Sequence, residues 1–268
     1  MRMTNEKCIV ESHEEIGSGY RFLVFRARFM APQICPGQFV HVKVPALEKS
    51  ALRRPFSVFD AENDRVTVLY KTVGRGTLAL NAVKPGDTIE VMGPLGKGFP
   101  EKCDGTAMLV GGGYGVAPLY ALARRLIARG KPASAIKLFV GGRTKEDLLA
   151  LDRFAKLGVE VFATTNDGSY GVKGFAVVPL DEEVKKLREQ GAKFELFTCG
   201  PDGLLKAVSD RATGTNRPGW ISMDRHMICG VGACFACIQK IKGADGQPFN
   251  ARCCVNGPVF AAKDIIWE

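Results

Sequence analysis

Five of the nine cysteines fall between residues 229 and 254, and their spacing is the most chemically specific feature of the chain. Cys229-Gly-Val-Gly-Ala-Cys234-Phe-Ala-Cys237 reads C-x4-C-x2-C, and Cys253 and Cys254 follow. Three thiolates on one tight loop with a fourth from a distance are the ligand set of a 2Fe–2S cluster. Iron needs thiolate donors, and one loop must place three of them around a small inorganic core. Gly230 and Gly232 let the backbone curl and turn its N–H groups toward the sulfurs. A zinc site more often shows paired C-x2-C knuckles. Successive side chains of an extended segment point to opposite sides, so only one of Cys253 and Cys254 faces the iron. Spacing leaves open which.

Three further constellations suit anionic cofactors. Gly111-Gly112-Gly113-Tyr-Gly115-Val-Ala-Pro118 follows the apolar run Ala107–Val110 and opens a helical pattern. Glycines at a strand-to-helix turn let a pyrophosphate approach backbone N–H groups and the positive helix end. The loop departs from G-x-G-x-x-G, since Val116 holds the last position. Lys131 and Pro132 stand where an acidic ribose-binding residue is expected. A purely structural glycine turn explains the loop equally well. Cys199-Gly200-Pro201 closes the run Phe194–Thr198, which places it at the carboxyl edge of a sheet, where open α/β folds bind ligands. Arg53-Arg54-Pro55-Phe56-Ser57 reads as the end of a loop before a strand, and Gly74-Arg-Gly76-Thr77 has a similar phosphate-compatible composition. His13, His41 and His226 are isolated and read as structural. No paired carboxylates and no Ser/His/Asp set stand out as catalytic residues.

The elements that must position these groups change character along the chain. Up to about residue 100, alternation at Val40/Val42/Val44, Val66/Val68/Tyr70 and Thr88/Glu90/Met92, with the turn Pro85-Gly86-Asp87, predicts short strands of an antiparallel β-barrel. From 101 to 217, the apolar runs Ala107–Val110, Ile136–Val140, Val159–Ala163 and Phe194–Thr198 alternate with helical patterns. These are the Leu119–Ile127 face ended by Gly130, then Glu146–Leu157, Asp181–Gln190 and Asp202–Ala212. Such alternation predicts a parallel sheet with helices on both faces. Residues 218–268 are rich in Gly and Cys and lack periodicity, as expected of a module held together by a metal cluster.

The 268 residues suffice for two or three units, and 46% hydrophobic with 24% charged residues is ordinary for a globular protein. The longest uncharged run, Thr106–Ala123, carries glycines and Pro118 in its middle and fits a strand, turn and helix better than a membrane span. Met1–Glu15 has no apolar secretory core, so a cytoplasmic location is expected. The net charge of +9 is spread over all three regions, without the aromatic-interleaved basic block of a nucleic-acid binder. An odd number of cysteines argues against a disulfide framework. Cys8, Cys35 and Cys103 read as reduced, mostly buried thiols.

Arg54-Pro-Phe-Ser57, the glycine turn, Cys199-Gly-Pro201, Met227–Cys237 and Cys254-Val-Asn-Gly-Pro-Val-Phe260 occur in the order found in ferredoxin-reductase-like flavoproteins. The chain most closely resembles the electron-transfer subunits of NAD-linked (class 1B) dihydroorotate dehydrogenases. The resemblance implies an FAD-binding barrel over 1–100, an NAD-binding α/β domain over 101–217 and a 2Fe–2S module over 218–268. It implies FAD contacts at Arg54, Pro55, Phe56, Ser57, Leu69, Tyr70, Lys71, Gly76 and Thr77. It implies cluster ligation by Cys229, Cys234, Cys237 and Cys254, with Cys253 a neighbour. The Val255-Asn256 pair departs from the acidic residue usual in the family before the glycine. The implied partner is an FMN-containing subunit that oxidises dihydroorotate to orotate, two of each chain forming a heterotetramer. Electrons would enter at the cluster, cross to FAD and leave on NAD, because a flavin can exchange both single electrons and hydride. The same architecture serves reductase subunits of hydrogenases, oxygenases and ferredoxin:NAD(P) oxidoreductases. A non-catalytic 2Fe–2S sensor is the reading from another class.

Overall fold

In the computed structural model, residues 3–45 and 52–267 are described. The first region holds six strands: β1 (Thr4–Gly17), β2 (Tyr20–Arg26), β3 (Phe39–Lys43), β4 (Arg54–Glu62), β5 (Arg65–Lys71) and β6 (Thr88–Leu95). They close into a barrel in the order β1-β2-β5-β4-β3-β6, antiparallel throughout. A short helix, α1 (Arg75–Leu80), follows β5. The alternation read from sequence is the alternation of the barrel wall. Val40, Val42, Val58, Val66, Val68 and Val91 fill the interior. Phe39 and Leu95 turn outward into a core shared with the cysteine-rich region. Tyr20, Phe22, Phe59 and Leu69 turn outward against the second domain.

Arg54 opens β4 itself, so the Arg-Pro-Phe-Ser segment lies within a strand and not in a loop before one. Pro55 pairs with His41 on β3, while the ladder to β5 begins only at Val58. A proline is tolerated there because one side of the strand is still unpaired.

The second domain begins with β7 (Thr106–Gly112), α2 (Val116–Ala128), β8 (Ile136–Gly142), α3 (Leu151–Lys156) and β9 (Glu160–Thr165). It continues with β10 (Val172–Lys173), α4 (Val177–Glu189), β11 (Phe194–Cys199), α5 (Asp202–Gly214) and β12 (Gly219–Ser222). The predicted helix over Glu146–Leu157 is not one helix. A single 3-10 turn spans Lys145–Asp147, Ala150 takes a left-handed backbone at φ 57°, and α3 starts only at Leu151. That break frees Asp147 to turn toward the barrel. The helix predicted at Asp181 begins four residues earlier, at Val177. Among the described residues no helix is long and apolar enough to cross a membrane.

The sheet runs β10-β9-β8-β7-β11-β12-β15, where β15 (Val259–Ala261) comes from the cysteine-rich region. All its neighbours are parallel except β12 with β15. After β7 the chain builds outward through β8, β9 and β10, then returns to lay β11 on the other side of β7. The topological switch point therefore lies between β7 and β11. The remaining strands, β13 (Ile238–Lys242) and β14 (Pro248–Arg252), form an antiparallel hairpin. Just before β15, the Gly257 carbonyl accepts a hydrogen bond from the Lys97 N–H of the barrel at 2.5 Å.

Candidate functional site

The β13–β14 hairpin explains how distant cysteines meet. Its last pair is Ile238 with Arg252, so Cys237 and Cys253 flank its open end. The Cys253 N–H donates to the Cys237 carbonyl at 2.8 Å, and the Cys254 N–H donates to Cys237 Sγ at 3.4 Å. The Cys254 thiol lies within hydrogen-bonding reach of Cys237 and is influenced by Cys229 and the Gly232 N–H. The Cys253 thiol is also influenced by Cys237, and after it by Arg225 and Cys254. Burial pushes both thiols up to about 12.

At the other end of the loop the field is reversed. Burial acts to raise the Cys229 thiol, but backbone N–H groups of Val231, Cys234 and Ala233 outweigh it and bring it down to about 6. A loop of inward N–H groups is what a thiolate ligand requires. Cys234 is exposed, Cys229 intermediate, and Cys237 and Cys254 are buried. Among the described residues no three Cys, His, Asp or Glu side chains are placed to hold a single metal ion. A two-iron cluster divides its ligands two per iron, so they need not converge on one point. A metal bound by these thiols would displace their protons, coupling binding to proton release.

The glycine turn and the Cys-Gly-Pro segment meet at the topological switch point. Cys199 pairs with Gly111 across β11 and β7. A Cβ on Gly115 would lie 2.4 Å from the Cys199 carbonyl oxygen and 2.8 Å from the Gly200 nitrogen, so two backbones touch where any side chain would part them. Gly112 faces Pro201 just above. Gly113, just past β7, has φ 54°, and α2 begins at Val116 with Gly115 as its N-cap. Cys199 is buried, and burial followed by the nearby Asp224 pushes its thiol up to about 12. It is a packed thiol beside the loop. Tyr114 reaches from the turn to Asp224 at 3.1 Å, tying this edge to the cysteine-rich region.

The barrel segments likewise assemble. The Arg54 guanidinium lies directly over Gly76, so the Arg-Pro-Phe-Ser strand and the Gly-Arg-Gly-Thr turn share one rim. Thr77 Oγ1 receives the N–H groups of Val73 and Gly74 at 2.9 and 3.1 Å, which fixes the turn. On the outer face of β5, Leu69 is buried against the second domain and Lys71 is half-buried. Phe56 and Tyr70 point inward and pack together at 5.2 Å between ring centroids. A basic rim above an outward apolar strip suits a dinucleotide with an aromatic ring system.

A group that sequence reading missed joins the two halves. Tyr20 of β2 donates to Asp147 Oδ1 at 2.8 Å, and Lys71 donates to the Tyr20 hydroxyl at 3.1 Å. Lys71 lies 3.5 Å from the same carboxylate, and Arg143 Nε donates to Oδ2 at 3.0 Å. The Tyr20 hydroxyl would lie 3.6 Å from a Cβ on Gly113. The implied flavin and nucleotide sites are therefore adjacent. No local pattern marks Tyr20 or Asp147, because their partners are far away in sequence. Of the histidines, His13 contacts the Val83 carbonyl and Tyr70 at 2.8 Å each, His226 is exposed, and His41 is buried without a partner. Cys8 is buried, while Cys35 and Cys103 are only partly so.

Comparison with known proteins divides the chain in the same order. Residues 7–99 match an oxidoreductase FAD-binding domain and residues 109–210 an oxidoreductase NAD-binding domain. Residues 224–266 match the iron–sulfur cluster binding domain of dihydroorotate dehydrogenase B. The dihydroorotate dehydrogenase B (NAD(+)) electron transfer subunit of Geobacillus kaustophilus is 37% identical over 267 residues, covering 97% of this chain and 98% of its own. That of Bacillus mycoides is 36% identical over 270 residues, covering 98% and 99%. Among solved structures, a chain of the NADH-dependent reduced ferredoxin–NADP oxidoreductase, described for flavin-based electron bifurcation, superposes with a TM-score of 0.81. It is 28% identical and covers 98% of this chain and 91% of its own. The flavohem-like FAD/NAD-binding domain of nitric oxide dioxygenase from Vibrio cholerae shares the fold at 18% identity, with a TM-score of 0.64 and coverage of 81% and 95%.

Proposed function

The chain belongs to the dihydroorotate dehydrogenase B (NAD(+)) electron transfer subunits, and from that premise we propose that it relays electrons from an FMN-containing partner subunit to NAD. The partner oxidises dihydroorotate to orotate in pyrimidine biosynthesis, and this chain carries the electrons onward with a 2Fe–2S cluster and FAD. When bound, the cluster exchanges single electrons and the flavin links them to two-electron hydride transfer with NAD. One observation carries the reading. The cysteine loop is seated against the barrel and tied into the nucleotide sheet through β15, so three cofactor modules share one molecule.

In this reading the chain's own residues hold and orient. Cys229, Cys234, Cys237 and Cys254 supply thiolates, and the hydrogen bonds of the Cys254 thiol with Cys237 and the Gly232 N–H support its choice over Cys253. Arg54, Gly76 and Thr77 hold the flavin phosphates at the barrel rim, while Pro55, Phe56, Ser57, Leu69, Tyr70 and Lys71 form the strands under its ring. Gly111, Gly112, Gly113 and Gly115, with Cys199, Gly200 and Pro201, leave the backbone clear for NAD at the switch point. The three units divide near residues 100 and 217.

Around the cluster loop Ile228, Val231, Phe235, Phe249 and Val255 are all exposed. We assign this apolar rim to the FMN partner, two of each chain forming a heterotetramer, in the cytoplasm, where thiols stay reduced. Neither a membrane nor nucleic acid is part of the assembly.

The test is reconstitution. The purified chain should show flavin and cluster absorbance, release FAD on denaturation, and support dihydroorotate-dependent NAD reduction when mixed with an FMN subunit. A fully loaded chain that gives no such reduction, while serving a ferredoxin or oxygenase system instead, would overturn the reading.

A further inference from the structure

His41 lies in the middle of β3, and its neighbours Val40 and Val42 point into the barrel, so its imidazole points outward. It is nonetheless fully buried. Phe39 packs against it at 5.5 Å between ring centroids, and the cluster loop covers it. A Cβ on Gly230 would lie 2.9 Å from Cε1, 3.0 Å from Nδ1 and 3.2 Å from Nε2, which, with φ of +72°, makes glycine the residue for this position. Across the ladder His41 pairs with Pro55 on β4 and Met92 on β6. Pro55 belongs to the strand assigned to the flavin, and Gly230 follows the first cluster cysteine. The ring therefore fills the seam between the two cofactor sites.

Neither ring nitrogen has a hydrogen-bond partner. Whichever tautomer is present, a neutral imidazole carries one N–H donor and one acceptor, and burying them unpaired is costly. An apolar ring would fill the space without that cost. Burial, with Arg53 adding to it, holds the imidazole down to about 4, so it is neutral at physiological pH.

We propose that His41 donates its N–H to an electron-rich acceptor of the cofactor pair, a cluster sulfur or a flavin heteroatom, and so positions and tunes the carriers on either side of the seam. The inference rests on the cofactor assignment above. An N–H donor favours the carrier that has gained negative charge, so removing it disfavours reduction of whichever carrier accepts it.

The test compares His41→Leu and His41→Gln in the full chain, loaded with FAD and iron and checked by absorbance. Redox titration followed by absorbance and electron paramagnetic resonance reads both carriers. His41→Leu should shift the equilibrium of one carrier about 5–10-fold toward its oxidised form, or roughly 40–60 mV for a one-electron couple. His41→Gln, which keeps an N–H donor, should recover most of that shift. Movement of the cluster signal identifies sulfur as the acceptor, and movement of the flavin signal identifies the flavin. Two unchanged potentials in a loaded His41→Leu chain overturn the inference and leave the cofactor assignment standing. A wild-type chain that binds neither FAD nor iron defeats the assignment instead. Unfolding of the cofactor-free chains provides a second reading. His41→Leu should be at least as stable as the parent there, and a marked loss would reduce the ring's role to packing and overturn the proposal.

Discussion

Cys253 and Cys254 are chemically identical and adjacent, yet they face different surroundings. The hairpin brings both beside Cys237. The Cys254 thiol hydrogen-bonds Cys237 and meets the Gly232 N–H of the loop, whereas the Cys253 thiol meets Cys237 and Arg225 only through their charge. Cys254→Ser should therefore abolish the cluster absorbance near the visible edge, while Cys253→Ser should retain it, as measured by iron content and spectrum of the purified chains. The reverse pattern would reassign the fourth ligand. The three-cysteine loop was legible because C-x4-C-x2-C is a local code. The choice within the pair was not, since it depends on a hairpin whose strands have no clear alternation. His41 was equally hidden. Its valine neighbours identify a strand, but nothing local says that a loop from residue 230 will cover the outward face.

Among the elements, the strands and the long helices were the most legible, because Val-rich alternation and the Leu119–Ile127 face are strong periodic signals. Glu146–Leu157 failed because good helix-forming composition is overridden at Ala150 by a left-handed turn. The glycine turn could be read two ways from sequence. The fold gives it its tightest requirement at Gly115, against the Cys199 carbonyl. Gly115→Ala must push the two loops apart, and such overpacking typically costs about 1–3 kcal/mol. The expected result is NAD binding weakened about tenfold or more, with FAD content unchanged, measured by titration of the loaded chain. Unaltered NAD affinity would remove this loop from the nucleotide site.

At the scale of the molecule, Asp147 joins barrel and sheet through Tyr20, Lys71 and Arg143. Burial acts to raise its carboxyl, but hydrogen bonds from Tyr20 and Arg143 outweigh burial and hold it below the usual range. A carboxyl depressed in the folded state stabilises fully above its unfolded value of about 4 and loses that contribution as pH falls through the folded value. The link should therefore be intact at neutral pH and fail in acid. Asp147→Asn should lower stability at pH 7 by about 1–2 kcal/mol, with the gap from the parent closing below about pH 3–4. Thermal melts across that range check it, and a gap independent of pH would assign the loss to packing alone. No sequence pattern announces this link, because its members come from β2, β5 and the turn after β8.

The strand β15 reaches the nucleotide sheet from near the end of the chain, where it caps the edge of β12 in antiparallel register. During synthesis β12 emerges well before the segment that covers it. At roughly 5–20 residues per second this leaves an open strand edge for seconds. An uncovered edge is a template for pairing with other chains. The cysteine-rich segment is thus the last to cover this edge, and nascent chains stalled or truncated before Val259 are the ones expected to aggregate.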